Sequence, residues 1–285
     1  MTVNGETKVL GIIGNPVKHT KSPAIHNYIS KQLNKNMIYV PFEVTGDVNK
    51  AVQGAYELSI HGMNVTVPWK EEIIKSLVDI DDLARRIGAV NTLVRVDGGF
   101  KGYNTDMIGL EREFIDEGIE LKGKDVVMIG AGGAARAVAF MCAKNDVKSV
   151  TILNRTVEKA EAIANDVNAY IKDENKTTIV SVLPLSDYEK IEANEFIAIQ
   201  CTKVGLAETD GAAIEDVSFY KKVTYGVDLI YRDGTLFQQM VNENGGKAYT
   251  GMKMLLFQGI AAYELWNDVK ISDEIKNGVK EVLGG

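Results

Sequence analysis

Hydrophobic residues along the chain fall into short runs closed by glycine, asparagine or proline, separated by stretches with helical spacing. Val9–Ile13, Met37–Val44 and Gly62–Val67 predict strands, the last stopped by Pro68. Pro23–Leu33 and Val48–Leu58 predict helices, and Ser22 before Pro23 reads as an N-cap followed by proline at the first helical position. Glu71–Leu77 reads as a short helix. Val90–Val96 and Gly99–Tyr103, joined by Asp97-Gly98, read as a hairpin, and Thr105–Gly118 as a helical connector.

The middle of the chain alternates more regularly. Asp125–Ile129, Ser149–Leu153, Thr178–Leu183, Glu195–Gln200 and Val223–Leu229 predict strands. Ala134–Lys144 and Val157–Val167 predict helices between them. Repeated βαβ units of this kind imply a parallel sheet. Leu121–Lys124, polar and containing glycine, is a candidate boundary. The tail adds a long apolar helix, Met252–Trp266, and a short one, Asp273–Val282.

At 285 residues, length permits one large domain or two ordinary ones. With 32 basic against 39 acidic residues, the net charge of −7 gives no general attraction to nucleic acid or an anionic membrane. Cys142 and Cys201 cannot form a disulfide scaffold, and His19, His26 and His61 have no metal-ligand spacing. No apolar run reaches transmembrane length, and the polar start Met1–Lys8 lacks a signal-peptide core. These features predict a soluble, cytoplasmic α/β protein.

Gly130-Ala131-Gly132-Gly133-Ala134-Ala135 follows a predicted strand and opens a predicted helix, fitting G-x-G-x-x-A. Small residues there allow a tight turn, close backbone approach to a pyrophosphate and helix packing on the strand. The next strand ends in Asn154-Arg155-Thr156, where an NAD site ordinarily carries an acidic residue. An arginine instead can clamp a 2′-phosphate, which favours NADP. The bland alternative is a polar cap followed by a solvated arginine.

Polar side chains also gather at element ends in the first half. Thr20 and Ser22 precede a helix and can hold a carboxylate, though Ser22 alone can simply cap it. Asn64, Thr66 and Lys70 follow a strand. Asn91 precedes one, and Asp106 opens a helix that it can equally well cap.

In order along the chain, Gly14–Asn27, Asn64–Lys70, Gly88–Leu93, Gly102–Asp106, Gly130–Ala135, Asn154–Thr156 and Met252–Gln258 resemble the shikimate dehydrogenase family, which includes shikimate/quinate dehydrogenases. The resemblance implies a two-domain α/β fold. An N-terminal α/β substrate domain of residues 1–106 would be completed by the tail 252–285. A Rossmann-type doubly wound NADP domain would span 107–251. It implies reversible oxidation of shikimate to 3-dehydroshikimate with NADP, without metal, in aromatic amino acid (chorismate) biosynthesis. Thr20 and Ser22 would take the carboxylate, with Tyr231 as its neighbour. Asn64, Thr66, Asn91 and Gln258 would bind ring hydroxyls or the carboxylate, and Lys70 and Asp106 would act at the reacting hydroxyl. Thr202, Leu229 and Gly251 would line the nicotinamide side of the cofactor. The small-molecule substrate is the expected partner, and a monomer or homodimer the expected state.

Three departures stand out. Thr20-Lys21-Ser22 replaces Ser-x-Ser. Gln200-Cys201-Thr202-Lys203-Val204-Gly205-Leu206 replaces an Asn-Ala/Thr-Thr-Pro-x-Gly-Met segment, and losing that proline is expected to loosen the loop. Tyr231-Arg232-Asp233 replaces Tyr-x-Pro. Two alternatives accompany this reading: a broader quinate/shikimate dehydrogenase using NAD, and a non-catalytic ligand sensor of the same fold.

Overall fold

The computed structural model describes residues 3–284. The chain forms two compact units, one built from its beginning up to Gly109 and from Leu256 onward, the other from Leu110–Leu255.

The first unit opens with β1 (Lys8–Gly14), α1 (Ser22–Gln32), β2 (Met37–Glu43), α2 (Val48–Glu57) and β3 (Gly62–Val65). A 3₁₀ turn at Glu72–Ser76 leads to β4 (Asp79–Ile80) and α3 (Asp82–Ile87). The hairpin β5 (Thr92–Val96) and β6 (Gly99–Tyr103) follows, and then α4 (Thr105–Asp116). The strand order is β2-β1-β3-β5-β6-β4. β1 runs parallel to β2 and β3, whereas β5 runs antiparallel to β3 and β6. Val52, Met63, Ile73, Leu93 and Phe100 form part of its buried core. β4 and α3 are too short for a hydrophobic period to announce them.

The second unit contains β7 (Asp125–Ile129), α5 (Ala135–Lys144), β8 (Ser149–Asn154), α6 (Val157–Asp173) and β9 (Ile179–Pro184). A 3₁₀ segment at Leu185–Lys190 precedes β10 (Phe196–Gln200), α7 (Val217–Tyr220), β11 (Val223–Asp228), α8 (Leu236–Glu243) and β12 (Lys247–Thr250). All six strands are parallel in the order β12-β11-β10-β7-β8-β9. This is the doubly wound arrangement, with its switch point between β7 and β10. Val127, Ile129, Ala198, Phe219 and Val241 anchor one side of its core.

Helices α9 (Met252–Asn267) and α10 (Asp273–Val282) close the chain. The changeovers between units fall inside α4 and α9. Leu121–Lys124 lies instead within the second unit, as a turn closed by Lys124 N–H on Leu121 O at 3.0 Å. Trp266 of α9 lies over Gly62, where a Cβ would collide with the indole, and donates Nε1–H to Leu93 O at 2.9 Å. Among the described residues no helix is long and apolar enough to cross a membrane.

Within the second unit, Glu113 of α4 is only 1% exposed. Desolvation pushes its carboxyl up to about 8, opposed by the Lys253 ammonium and reinforced by Glu117. Its ordinary value is 4.5, so the folded chain holds an extra proton between that value and about 8. Stability therefore falls as pH rises through this window, at up to about 1.4 kcal/mol per pH unit. E113Q is expected to flatten this dependence and to raise Tm at pH 8, as measured by thermal melts from pH 5 to 8.

Candidate active site

Sheet topology brings most of the polar candidates of the first unit to one edge. β1 and β3 are parallel, so the loops after Gly14 and Val65 leave the same edge. β5 is antiparallel to β3 and enters there, and β6, antiparallel to β5, leaves there into α4. The loop carrying Thr20, the Thr66–Lys70 segment, Asn91 and Asp106 consequently share that edge.

The central contact is an ion pair. Lys70 Nζ lies 2.6 Å from Asp106 Oδ2, with the side chains 26% and 14% exposed. Asp106 is not the helix cap, because Asn104 Oδ1 accepts the Met107 N–H at 3.2 Å and fills that role. The carboxylate in the first turn is thereby left for Lys70. Lys70 itself is tied down through its backbone, whose carbonyl accepts the Val90 N–H at 2.8 Å.

Behind this pair lies a buried amide network. Asn64 Nδ2 donates to Asn91 O at 3.1 Å and Thr92 Oγ1 at 3.0 Å, while Oδ1 accepts the Tyr39 hydroxyl at 2.8 Å. Asn91 Oδ1 accepts the Thr105 N–H at 2.7 Å. Tyr39 stacks on His26, their ring centroids 4.3 Å apart. Burial drives the His26 imidazole down to about 3, with Asn64 opposing that shift, so it packs as a neutral ring.

Ser22 is not an N-cap. It is the first residue of α1, with Lys21 at the cap position and no side-chain cap bond. The Thr20 hydroxyl takes the Ser22 N–H at 3.2 Å and donates to Ser22 Oγ at 3.1 Å. The two hydroxyls therefore stand together at a helix start. Thr66 is half-buried, and its methyl packs where a Cβ on Gly14 would sit. Gln258 is buried on α9.

In the second unit, a cavity of about 700 Å³ opens at the switch point, lined by Gly130–Gly133, Asn154–Thr156 and Thr202 among others. Gly130 has φ 103°, and a Cβ there would press on Thr202 Cγ2 at 2.6 Å. Glycine is thus required by both backbone and neighbour. A Cβ at Gly133 would meet nothing within 4 Å, which leaves an open face for a ligand. Asn154 Oδ1 accepts the Ala131 N–H at 3.2 Å and Nδ2 donates to Thr156 O at 2.7 Å, joining the two loops. Arg155 is exposed on the cavity wall. No side chain caps α5, so its N-terminal dipole faces the loop without a competing carboxylate or hydroxyl cap.

Not every expected cofactor residue lines this cavity. Ala134 holds the N-cap position of α5, and Ala135 is fully buried in helix packing. Leu229 and Gly251 meet each other at the ends of β11 and β12. A Cβ on Gly251 would sit 2.7 Å from Leu229 O and 3.0 Å from the Tyr231 ring. Tyr231 is 47% exposed beside them.

Residues 12–93 match the family model described as shikimate dehydrogenase substrate binding domain, and residues 113–216 match shikimate / quinate 5-dehydrogenase. The chain is 37% identical to a shikimate dehydrogenase (NADP(+)) of Desulforamulus reducens, over 99% of this chain and 98% of the relative. The chain belongs to the shikimate dehydrogenase family. The shikimate 5-dehydrogenase of Listeria monocytogenes, solved with shikimate and NAD, superposes with a TM-score of 0.90 at 29% identity, covering 99% of this chain and 98% of that one. A shikimate dehydrogenase solved with NADP+ gives 0.86 at 36% identity, covering 98% and 97%.

Against the pattern of the shikimate dehydrogenase family, the loop after β10 lacks a proline, yet side chains tether it. Gln200 Oε1 accepts the Thr202 N–H and hydroxyl at 3.1 and 2.9 Å. Asp210 Oδ2 accepts the Gly205 and Ala207 N–H groups, each at 3.0 Å. An Arg232 guanidinium N–H donates to Gly205 O at 2.7 Å and Ala207 O at 3.3 Å. The expected loosening is thus offset by a carboxylate on one side and a guanidinium on the other. Arg232 stands within the Tyr231-Arg232-Asp233 departure itself.

Among the charged residues lining this cavity, sequence reading assigned no role to Lys159, Lys203 and Asp210, although Lys203 falls within the departing segment 200–206. Lys159 was open to discovery, because it stands in the first turn of α6, close in sequence to the Asn154-Arg155-Thr156 segment that lines the same cavity. Asp210 depends on a loop path that no local pattern encodes. Burial raises both thiols, Cys142 to about 12, which disfavours a reactive thiolate at either cysteine.

Proposed function

We propose that the chain catalyses the reversible, NADP-dependent reduction of 3-dehydroshikimate to shikimate, a step of chorismate and aromatic amino acid biosynthesis. The observation that carries this reading is the 2.6 Å Lys70–Asp106 pair on a sheet edge that also bears Thr20, Ser22, Thr66 and Asn91. The first unit is the substrate domain and the second the dinucleotide domain.

Gly130–Gly133 and the start of α5 fit the pyrophosphate, because small residues and uncapped helix N–H groups favour an anion there. Arg155, with Thr156 and Lys159, fits the 2′-phosphate. Thr202, Leu229 and Gly251 serve the nicotinamide side. NADP, when bound, supplies or accepts the hydride.

The chain's own residues handle the rest. Thr20 and Ser22 hold the carboxylate with their paired hydroxyls, and Tyr231 adds a phenol. Asn64, Thr66, Asn91 and Gln258 fix the ring hydroxyls. During ketone reduction Lys70 Nζ donates a proton to the developing alkoxide, and during alcohol oxidation the same pair removes it. Asp106 orients Lys70 and accepts a hydrogen bond from the substrate hydroxyl. The two act together at the reacting hydroxyl, joined by their 2.6 Å contact.

Steady-state assays of shikimate and quinate, each with NADP+ and NAD+, test the reading. Shikimate with NADP+ is expected to give the highest kcat/KM. Preference for quinate with NAD+ would replace it with the broader enzyme. Tight shikimate binding without turnover under any pairing would replace it with a ligand sensor.

A further inference from the structure

Thr92 is fully buried at the start of β5, and nothing in the chemistry above uses it. Its register partner across the sheet is Asn64. From this position its hydroxyl touches three elements. It accepts from Asn64 Nδ2 on β3 at 3.0 Å. It lies 3.1 Å from Asn91 Oδ1 and 3.0 Å from Thr105 Oγ1, the first residue of α4. Thr105, also fully buried, donates its N–H to Asn91 Oδ1 at 2.7 Å, and its hydroxyl lies 3.1 Å from the same oxygen.

Proton counting constrains this ring. Each hydroxyl has one proton to give. Either Thr92 donates to Asn91 and Thr105 donates to Thr92, or Thr92 donates to Thr105 and Thr105 donates to Asn91. Both arrangements satisfy the two hydroxyls and Asn91 Oδ1, and both need the Thr92 oxygen as the acceptor for Asn64. No water is required to complete them. A buried network that is fully satisfied holds its members in place, and one missing member leaves polar groups unpaired.

The next residue after Thr105 is Asp106. On the other side, the Val90 N–H holds the Lys70 carbonyl at 2.8 Å, one residue before Asn91. The Ala89–Thr92 segment therefore grips both partners of the ion pair: Lys70 through Val90, and the first turn of α4 through Asn91 and Thr92. Asn104 Nδ2 donates to Ala89 O at 3.0 Å and adds a second tie to the same turn.

We propose that the Thr92 hydroxyl is a positioning group that sets the Asp106 carboxylate against Lys70. This rests on the reading of Lys70 and Asp106 as the proton-transfer pair. Thr92 touches no substrate atom. Its effect is to keep α4 and the Asn91 loop in register with β3.

Thr92→Val keeps the shape and removes only the hydroxyl. In the full chain it is expected to lower kcat for shikimate oxidation by about 10- to 100-fold, with KM for shikimate changed by less than about threefold. Thr92→Ser restores the hydroxyl and is expected to recover most of kcat. Thr105→Val removes the other hydroxyl of the ring and is expected to act in the same direction, which keeps the test open if T92V fails to fold. Equal turnover of wild type and a folded T92V or T105V would overturn the proposal, as would a loss that T92S does not restore. The crystal structure of the folded variant is a readout independent of turnover. An undisturbed 2.6 Å Lys70–Asp106 contact in it overturns the proposal, and a displaced Asp106 supports it even if the wild type proves inactive on shikimate.

Discussion

Lys70→Met is expected to lower kcat for shikimate oxidation with NADP+ by about a thousandfold, the range over which a positioned acid–base group acts. Methionine keeps the length and apolar stem of the side chain and deletes the ammonium. Asp106 then faces the substrate hydroxyl without its 2.6 Å partner, and the hydroxyl proton released in oxidation has lost the Lys70 side of the pair that takes it. Shikimate binding is expected to persist, because Thr20, Ser22 and the Asn91 amide are untouched. Isothermal titration with shikimate, beside steady-state kinetics, separates the two effects. Turnover by K70M at the wild-type rate would remove Lys70 from the chemistry.

Arg155→Ala carries the second large effect. KM for NADP+ is expected to rise by about 10- to 100-fold, the worth of one or two charge-assisted hydrogen bonds to phosphate. KM for NAD+, which has no 2′-phosphate, should move far less. Arg155 is exposed, so part of the wild-type preference should fade with added salt. Lys159, which lines the same cavity, retains some attraction, which is why the loss falls short of complete. Parallel titrations of both cofactors at low and high ionic strength provide the check. An equal rise for NAD+ and NADP+ would assign Arg155 to the shared part of the dinucleotide.

The fold was legible wherever a hydrophobic period ran long enough. Asp125–Ile129 and Asp273–Val282 match their predicted bounds, and the G-x-G-x-x-A segment stands at the turn from β7 to α5. α8 and β12 went unread because Gly234, Gly245 and Gly246 interrupt a stretch whose apolar residues are few. α6 continues to Asp173, six residues past its predicted end, because Tyr170 and Ile171 extend its buried face. For side chains the limit was different. Ser22 before Pro23 has the spelling of a cap, yet the Thr20 hydroxyl already takes the Ser22 N–H. Asp106 has the same spelling, and Asn104 displaces it from that role. In both cases the helix starts earlier than that spelling suggests, with Lys21 at the cap position of α1 and Asn104 capping α4, and a single sequence does not rank such neighbouring starts. Thr92 was legible only as one polar residue at an element end, because its importance comes from lying opposite Asn64, and strand register is a long-range property.

The first unit is assembled from both ends of the chain, and this orders its synthesis. The second unit is one continuous segment, so it can fold as soon as Leu255 has emerged. The sheet of the first unit must wait for α9, which follows the second unit in sequence. Until Trp266 arrives, the notch over Gly62 stays open, Leu93 O lacks its indole donor and the His61 ring lacks the Trp266 carbonyl 3.0 Å away. The strands β1 to β3 are thus sealed by a helix that lies beyond the whole second unit in sequence, and closing so long a loop carries a larger entropy cost than any contact within one βαβ unit.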